Sequence, residues 1–403
     1  MATGIKRCAK RFHQVKPRIG DLVELTLARP VHGGFVIGFK DKHTYFVRFG
    51  LPGEVVVCEV VDSSKRVIFA EVRKVITSSP DRIAASCAQY GTCGGCDLMH
   101  LTASAELEWK WKVVSDALRR IGGLNAQGLV EPCRALADSE SGFRTRLTAR
   151  PLGDFGIGLH QYRSHAQVEC PTCEVTDIRL FEKVRWAQVT DSQVRGAIGT
   201  AGEIGLAVGH LDERVSQSIR TPVGERTWNL PASVFWQVHR HAAQVFGDLL
   251  LDLAKPQPGE SWWDLYGGVG LFSAFLADCG ARVDLVEADE RAVDCAIEHF
   301  PPSGPVTIHA CDVGSWLKAA HASSAPGSFK VVLDPPRSGL GAEVALELAG
   351  LGPSTIVYVA CDPAAFARDV KVFVGAGYQC ERVIPVNAFP RTHHLETFAL
   401  LTR

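Results

Sequence analysis

The sequence predicts a multidomain α/β protein with a small N-terminal β-barrel, a central α+β region that carries a cysteine-rich loop, and a C-terminal doubly wound sheet. Two patterns support this prediction. Short apolar runs are separated by turn residues in the first 80 residues, and apolar strands alternate with helical stretches after residue 228. We place the domains at 1–80, 81–227 and 228–403, since 403 residues allow two or three domains with separate cores.

The N-terminal part contains five short strand-like runs. They cover residues 22–27, 34–39, 44–49, 55–61 and 67–76. Five strands in about 57 residues is the size of a closed barrel of the oligonucleotide-binding type. Residues 1–80 hold 14 Lys and Arg against 7 Asp and Glu, a net charge of +7, while the rest of the chain carries −8. We therefore favour an RNA-contacting module over the alternative of a basic tail that is merely solvated.

The whole chain has ordinary globular composition, with 46% hydrophobic and 22% charged residues, which excludes disordered and fibrous classes. The basic start, with Lys6, Arg7, Lys10 and Arg11, has no apolar signal-peptide core, and no run of 18 apolar residues occurs. We expect a cytoplasmic protein with no membrane contact. Disulfides are rare in that compartment, so the 13 cysteines suggest metal binding, catalysis or core packing.

Three cysteines form a compact loop. Cys87, Cys93 and Cys96 stand at the spacing C-x5-C-x2-C with intervening glycines, a strong signal for a metal or a cluster. Paired C-x2-C units, which structural zinc usually shows, are missing, but zinc remains an alternative. Cys170 and Cys173 are candidates for the fourth ligand. An amphipathic helix follows the loop, with Thr102 as its cap and a Gly-Gly pair at its end, and should pack on it.

The C-terminal part alternates strands and helices. Strands are predicted at 262–265, 282–287, 306–308, 331–333 and 355–360, and helices at 272–278 and 291–299. This order predicts a doubly wound sheet, whose ligands bind at the carboxyl ends of the strands. The small-residue stretch 319–328 is predicted to be a surface loop.

A glycine turn follows the first of these strands and leads into a helix. Gly268 and Gly270 allow the backbone to approach a ligand closely, while Ser273 stands where a dinucleotide site would want Gly or Ala. The next strand ends at Glu287, placed to accept hydrogen bonds from both ribose hydroxyls of a nucleoside.

Two more acids follow later strands. Asp312 comes after the third strand and Asp334 after the fourth. Acids after successive strands suit an adenosine cofactor that has no pyrophosphate, and S-adenosylmethionine is the natural candidate. The alternative is that these acids only cap helices.

The nucleophile candidate is Cys361, which follows an apolar strand and should face the same crevice as Asp334. A lone cysteine in this position is more often a buried small residue, but Pro363 stiffens the turn that presents it. Glu396 begins a predicted last strand over 397–401; by pattern alone it is an ordinary solvated acid.

Four motifs in this half resemble those of the RNA uracil-5-methyltransferase family. They read DLYGGVG, DPPRSG, ACDPAAFARD and FPRTHHLE, in the family's order, over residues 264–396. The N-terminal segment also resembles a TRAM domain in its turn at 32–34 and its step at 51–54. With the cysteine loop, the resemblance covers nearly the whole chain.

The resemblance implies roles for individual residues. Cys361 would be the nucleophile and Glu396 the base that removes a proton. The residues that line the cofactor or target-base site would be Gln237, Tyr266, Glu287, Asp312 and Asp334, with Gln237 in the family's F-x-Q element. Members with an iron-sulfur cluster have a Cys-Pro at the place of Cys170, which selects it as the fourth ligand of a [4Fe-4S] cluster of structural role.

The expected function is methylation of C5 of a uridine in structured RNA. We favour 23S ribosomal RNA, because members that act on transfer RNA typically lack the N-terminal barrel and the cluster. The alternatives are methylation of a transfer RNA uridine, and a catalytically silent RNA-binding iron-sulfur protein. A dehydrogenase is disfavoured by Ser273 and by the Cys361 site. We expect a monomer.

Overall fold

A computed structural model describes residues 16–64, 66–136, 141–152, 156–187, 193–323 and 328–403. The chain divides into two compact units, 1–82 and 83–403. The basic tail predicted to contact RNA falls mostly on residues 1–15 and lies outside the described residues. The division at 1–80, 81–227 and 228–403 stays a prediction.

The first unit is a closed barrel in its described residues. Its strands are β1 (Leu22–Val31), β2 (Phe35–Lys40), β3 (His43–Arg48), β4 (Val55–Asp62) and β5 (Ile68–Thr77). They pair in the order β1-β2-β3-β5-β4, and closure leaves no free sheet edge. Alternate residues of each strand, among them Leu25, Val36 and Val56, fill the interior. The prediction of a small five-stranded barrel is confirmed.

The second unit begins with the cysteine loop and a helix. Its central elements are α1 (Ala103–Ala117), β6 (Arg134–Ala135), β7 (Arg146–Pro151), β8 (Ile157–His160), β9 (Gln167–Glu169), α2 (Ile178–Arg185), β10 (Val194–Ile198), β11 (Ile204–Val208), β12 (Leu211–Asp212), β13 (Arg214–Thr221) and β14 (Gly224–Pro231). Thr102 caps α1 as predicted, accepting from the N–H of Ala105 at 3.4 Å. A π-helical turn at Leu118–Gly122 follows, and Gly123 ends it at φ +73°.

The C-terminal elements build the sheet that carries the predicted motifs. They are α3 (Ala242–Ala254), β15 (Ser261–Leu265), α4 (Leu271–Asp278), β16 (Arg282–Glu287), α5 (Glu290–His299), β17 (Val306–Ala310), α6 (Val313–Ser323), β18 (Lys330–Leu333), α7 (Gly341–Leu351), β19 (Thr355–Ala360), α8 (Pro363–Gly375), β20 (Gln379–Asn387) and β21 (Glu396–Thr402). The strand order among the described residues is β17-β16-β15-β18-β19-β21-β20-β6.

Strands β15 to β19 run parallel, and β21 lies antiparallel between β19 and β20. Helices cover both faces of this sheet. The adjacent residues Trp262 and Trp263 of β15 are both buried, in two different hydrophobic cores, because successive side chains of a strand point to opposite faces. The predicted doubly wound architecture is confirmed.

One loop prediction needs correction. The stretch 319–328 was expected to be a surface loop throughout, but α6 continues to Ser323. Its alanines are good helix formers, and Ala320 is buried in the core, which extends the helix. Residues 324–327 lie outside the described residues. No helix in the described parts of the chain is long and apolar enough to cross a membrane.

Candidate active site

The carboxyl ends of β15 to β19 form one edge of the sheet, and the strand register aligns them. Leu265 lies opposite both Val286 and Leu333, and Leu333 lies opposite Tyr358. The residues just past these strand ends therefore meet at this edge. Tyr266, Glu287, Asp312, Asp334 and Cys361 all belong to this set, as the sequence predicted.

The glycine turn after β15 is folded tightly against Glu287. Gly268 has φ +56° and donates its N–H to Oε2 of Glu287 at 2.9 Å, while Oε1 accepts from the N–H of Ala288 at 2.7 Å. Oε1 also accepts from the N–H of Asp289 at 2.8 Å, which occupies both of its lone pairs, so Oε2 is the oxygen that keeps a lone pair for a ligand hydroxyl. Gly270 has φ +88°, and a Cβ there would overlap the ring of Phe300. Both glycines are therefore required by the backbone geometry.

An acid that the sequence pattern did not single out lies beneath this turn. Asp264 is 1% exposed, and its Oδ2 accepts from the hydroxyl of Ser273 at 2.6 Å and from the backbone N–H of Ser273 at 2.9 Å. Burial raises the pKa of Asp264 to about 7, against the opposing effect of the Ser273 bonds. The acid stands in the DLYGGVG motif, and an acidic residue inside an apolar strand was the signal that could have singled it out.

Tyr266 and Asp312 lie at the same edge in different surroundings. Tyr266 takes φ +61°, unusual for a bulky residue, and burial together with nearby carboxylates, Asp312 first among them, raises its pKa to about 12. Asp312 is exposed, and its Oδ1 accepts from the N–H of Ser315 in the first turn of α6 at 3.0 Å. Asp312 therefore caps α6 through Oδ1, as the alternative prediction stated.

Gln237 reaches the protein interior from another element. It lies in the loop between β14 and α3 and is 9% exposed. The neighbouring Val238 carbonyl accepts from both the N–H and the hydroxyl of Thr145, at 2.8 and 2.9 Å, which fastens this loop to the central region. No hydrogen bond in the described residues joins Gln237 to the acids of the sheet edge.

Cys361 and Glu396 are brought together by two neighbouring strands. Ala360, the last residue of β19, lies opposite Thr397 of β21, so one step further places Cys361 beside Glu396. The turn after Cys361 is rigid, because Asp362 caps α8 through the N–H groups of Ala364 and Ala365 at 2.9 and 2.7 Å. Glu396 is 7% exposed and is the first residue of β21, so it is not the solvated acid that its pattern alone suggested.

Glu396, Asp334 and Cys361 lie close together at this edge of the sheet and influence one another. Burial and then the carboxylate of Asp334 raise the pKa of Glu396, against a smaller opposing effect of Arg337. Burial and the nearby Asp264 raise the pKa of Asp334 to about 7, and burial, Glu396 and Asp334 raise the pKa of Cys361 to about 12. Oε2 of Glu396 is buried without a hydrogen-bond partner. Such a site favours a cation, which would relieve the repulsion.

Asp369 of α8 fixes the loop that follows β18 and contains Asp334. It is 2% exposed, and its Oδ2 accepts from the N–H of Leu340 at 2.7 Å and from the hydroxyl of Tyr358 at 2.6 Å. The loop that follows β18 is thereby fixed to α8, which keeps Asp334 and Arg337 at the edge of the sheet.

The cysteine loop forms a second, separate site. Cys87, Cys93, Cys96 and Cys170 line one cavity of about 230 Å³. The thiols of Cys93 and Cys170 are hydrogen-bonded, which lowers the pKa of Cys93 to about 6, with Arg144 contributing in the same direction. Cys173 lines the cavity as well, so the structure does not choose between Cys170 and Cys173. Among the described residues, no three His, Cys, Asp or Glu side chains are arranged to hold a single metal ion.

Comparisons with known proteins agree on one kind of enzyme. The family model described as tRNA (Uracil-5-)-methyltransferase matches residues 327–403. An uncharacterized RNA methyltransferase of Corynebacterium efficiens is 34% identical over 95% of each chain. The 23S rRNA (uracil(1939)-C(5))-methyltransferase RlmD of Alkalilimnicola ehrlichii is 30% identical over 94% of this chain and 96% of its own.

A solved structure shares the fold. It is the tRNA (uracil-54, C5)-methyltransferase of Pyrococcus abyssi in complex with S-adenosyl-L-homocysteine, with a TM-score of 0.66 at 23% identity, covering 94% of this chain and 99% of that one.

Proposed function

Because the chain belongs to the RNA uracil-5-methyltransferase family, we propose that it transfers the methyl group of S-adenosylmethionine to C5 of a uridine in structured RNA. The observation that carries the proposal is the register of β19 and β21, which makes Cys361 and Glu396 neighbours at the edge where Asp334 also lies. A nucleophile beside a buried carboxyl group is what this reaction needs.

The chemistry assigns a separate task to each of the two groups. C5 of uracil is a poor nucleophile, so the Cys361 thiolate adds to C6, and the electrons of the C5–C6 double bond move towards the C4 oxygen. C5 then forms a bond to the methyl group while the sulfonium–methyl bond breaks. The Glu396 carboxylate takes the C5 proton, the double bond re-forms, and the Cys361 sulfur leaves C6.

The raised pKa values at this edge of the sheet bear on this sequence of steps. Burial first, and then the neighbouring acids, raise the pKa of the Cys361 thiol and of the Glu396 carboxyl, which favours their protonated forms. A sulfonium beside them would lower the pKa values of Cys361, Glu396 and Asp334, because a positive charge stabilises each anion. A bound methyl donor would therefore favour the thiolate and the carboxylate that the proposed steps use.

The methyl donor's binding residues line the same edge. Glu287 is placed for the ribose hydroxyls, the turn at Gly268 and Gly270 for close backbone approach, and Tyr266 and Asp312 for the rest of the adenosine. Gln237 and Asp334 would hold the target base and the methyl group in line. RNA must present the uridine unstacked, which suits a loop or bulge in a structured molecule.

We favour 23S ribosomal RNA as the substrate. The support is the relative named as a 23S rRNA methyltransferase, which aligns over 94% of this chain. The barrel and the +7 charge of residues 1–80 supply a second RNA-binding element. Transfer RNA is the alternative substrate, and the match of residues 327–403 to the family model described as tRNA (Uracil-5-)-methyltransferase supports it.

The four cysteines Cys87, Cys93, Cys96 and Cys170 would hold a [4Fe-4S] cluster. Their convergence on one cavity beside the positive Arg144 fits an anionic cluster. Methyl transfer needs no electron, so the group would supply structure only, pinning the central region against the segment that leads into α1.

A direct test measures the product. The purified protein, incubated with radiolabelled S-adenosylmethionine and either 23S or transfer RNA, is expected to label one of them as 5-methyluridine. Mapping 5-methyluridine in RNA from cells with and without the gene identifies the position. A protein that binds both substrates but labels neither RNA would be the catalytically silent alternative.

A further inference from the structure

A fully buried ion pair lies inside α1, away from the sheet edge. Glu106 and Lys110 are both 0% exposed, and Nζ of Lys110 lies 2.8 Å from Oε1 of Glu106. The same Nζ donates to Oδ1 of Asn387 at 2.5 Å and to the carbonyl of Phe389 at 3.0 Å. Two of its three contacts therefore go to one distant segment of the chain.

The carboxylate makes contacts to the same segment. Both oxygens of Glu106 lie 3.0 Å from the backbone nitrogen of Arg391, and Oε1 also accepts from the side-chain amide of Asn387 at 3.1 Å. Arg391 has φ +65°, an unfavourable conformation for a residue with a Cβ, so its backbone must be held by its surroundings. The pair thus holds residues 387–391 through hydrogen bonds to side-chain and backbone atoms.

That segment begins at the last residue of β20 and continues into the connection to β21, whose first residue is Glu396. Cys361 and Asp334, by contrast, follow β19 and β18 and make no described hydrogen bond to Glu106 or Lys110. A buried ion pair is a weak source of stability, because the cost of removing two charges from water offsets their attraction. What this pair supplies is directed bonds to one loop.

We propose that Glu106 and Lys110 are positioning residues that hold the 387–391 segment so that Glu396 is aimed at the C5 proton. The proposal rests on the proposed function. It implies that their loss slows proton removal, the step that Glu396 performs, and leaves the addition of Cys361 and the methyl transfer intact.

The test uses the full-length protein with both residues replaced by methionine, Glu106→Met together with Lys110→Met. Apolar replacement of both partners of a buried pair is commonly neutral for stability, so the protein should fold. The matched control is Glu108→Met with Lys112→Met, an exposed pair at the same spacing on the same helix, 2.6 Å apart. Should the buried double variant unfold, Glu106→Gln carries the same test, because it keeps the shape and removes the charge.

Two RNA substrates separate the steps. With ordinary RNA, we expect kcat to fall roughly 10- to 100-fold with KM for RNA unchanged, and a methylated covalent adduct to accumulate on a denaturing gel. With 5-fluorouridine RNA, whose C5 carries no proton to remove, the trapped adduct should form at the rate of the unmodified protein. The control pair should match the unmodified protein on both substrates.

Unchanged kcat on ordinary RNA, or a parallel slowing of adduct formation on 5-fluorouridine RNA, would overturn the positioning role. The unmodified protein is run beside the variants. If it makes no 5-methyluridine, the proposed function fails, and this inference fails with it. If it makes 5-methyluridine and the variants behave like it, only the positioning role is lost.

Discussion

Asp264 and Ser273 form a buried pair beneath the glycine turn, in which one carboxylate oxygen accepts from the Ser273 hydroxyl at 2.6 Å and from its backbone N–H at 2.9 Å. In the sequence, Ser273 only argued against a dinucleotide site. In the structure it ties the first turn of α4 to β15 and partly compensates the burial of Asp264. The turn that would receive the methyl donor is therefore fixed by a polar contact below it.

Ser273→Ala removes the hydroxyl bond and leaves Asp264 with one donor. We expect a loss of about 1 to 3 kcal/mol in the free energy of unfolding, since a buried acceptor loses a partner. Urea denaturation measures it, and calorimetric titration with S-adenosylhomocysteine should show weaker binding. Ser303→Ala, at an exposed position, is the control and should change neither quantity. A Ser273→Ala protein as stable as the unmodified one would contradict the assignment.

The pH dependence of stability should reflect Asp264. Burial raises its pKa from 3.8 to about 7, so the folded protein binds a proton that the unfolded chain has released. Stability from this group is present below the unfolded pKa and is lost as pH rises through the folded pKa. We expect Asp264→Asn to lessen the decline in unfolding free energy from pH 4 to about 7. Asp294→Asn, exposed on α5, should leave the profile unchanged.

Cys361→Ala should abolish methylation, because the proposed addition to C6 needs a thiolate and Cys361 carries the thiol beside Glu396 and Asp334. Binding of S-adenosylhomocysteine should persist, since the proposed cofactor-binding residues lie outside β19 and the turn that follows it. Radiolabel transfer and calorimetry measure the two properties. Cys279→Ala, after α4, is the matched control and should retain full transfer. Normal turnover by Cys361→Ala would refute the nucleophile assignment.

Glu396→Gln should stop the reaction after methyl transfer, because the amide cannot take the C5 proton. A covalent protein–RNA adduct is expected to accumulate and to run as a slow band on a denaturing gel. Glu381→Gln, on the neighbouring β20, should turn over without an adduct. If no adduct forms with Glu396→Gln, another group is the base.

Metal content tests the cysteine site independently of activity. Anaerobic purification should give a brown protein with about four irons per chain. Cys170→Ser should lose the iron and the colour, while Cys173→Ser should keep both. If Cys173→Ser loses the iron and Cys170→Ser keeps it, Cys173 is the fourth ligand. Zinc in place of iron would support the alternative metal.

Much of the architecture was predictable because it depends on local pattern. The barrel strands, the parallel strands and the cap at Thr102 follow from apolar periodicity, turn residues and capping preference, all read over a few residues. Predicted strand ends differed from the observed ends by a few residues. The one loop that proved helical in part, after residue 319, was misjudged because burial of Ala320 extends α6.

Residue type and spacing were enough to predict the fold class, the order of the motifs, the candidate nucleophile Cys361 and the three loop cysteines. The base role of Glu396 and the choice of Cys170 came from the resemblance to the family. Which groups share an environment became evident from the tertiary structure alone. The register of β19 and β21 makes Glu396 a buried neighbour of Cys361, and Glu106 meets Asn387 across 281 residues of sequence. Such relationships depend on strand pairing and helix packing between distant segments. The residue pattern within one segment does not specify which distant segment it will contact.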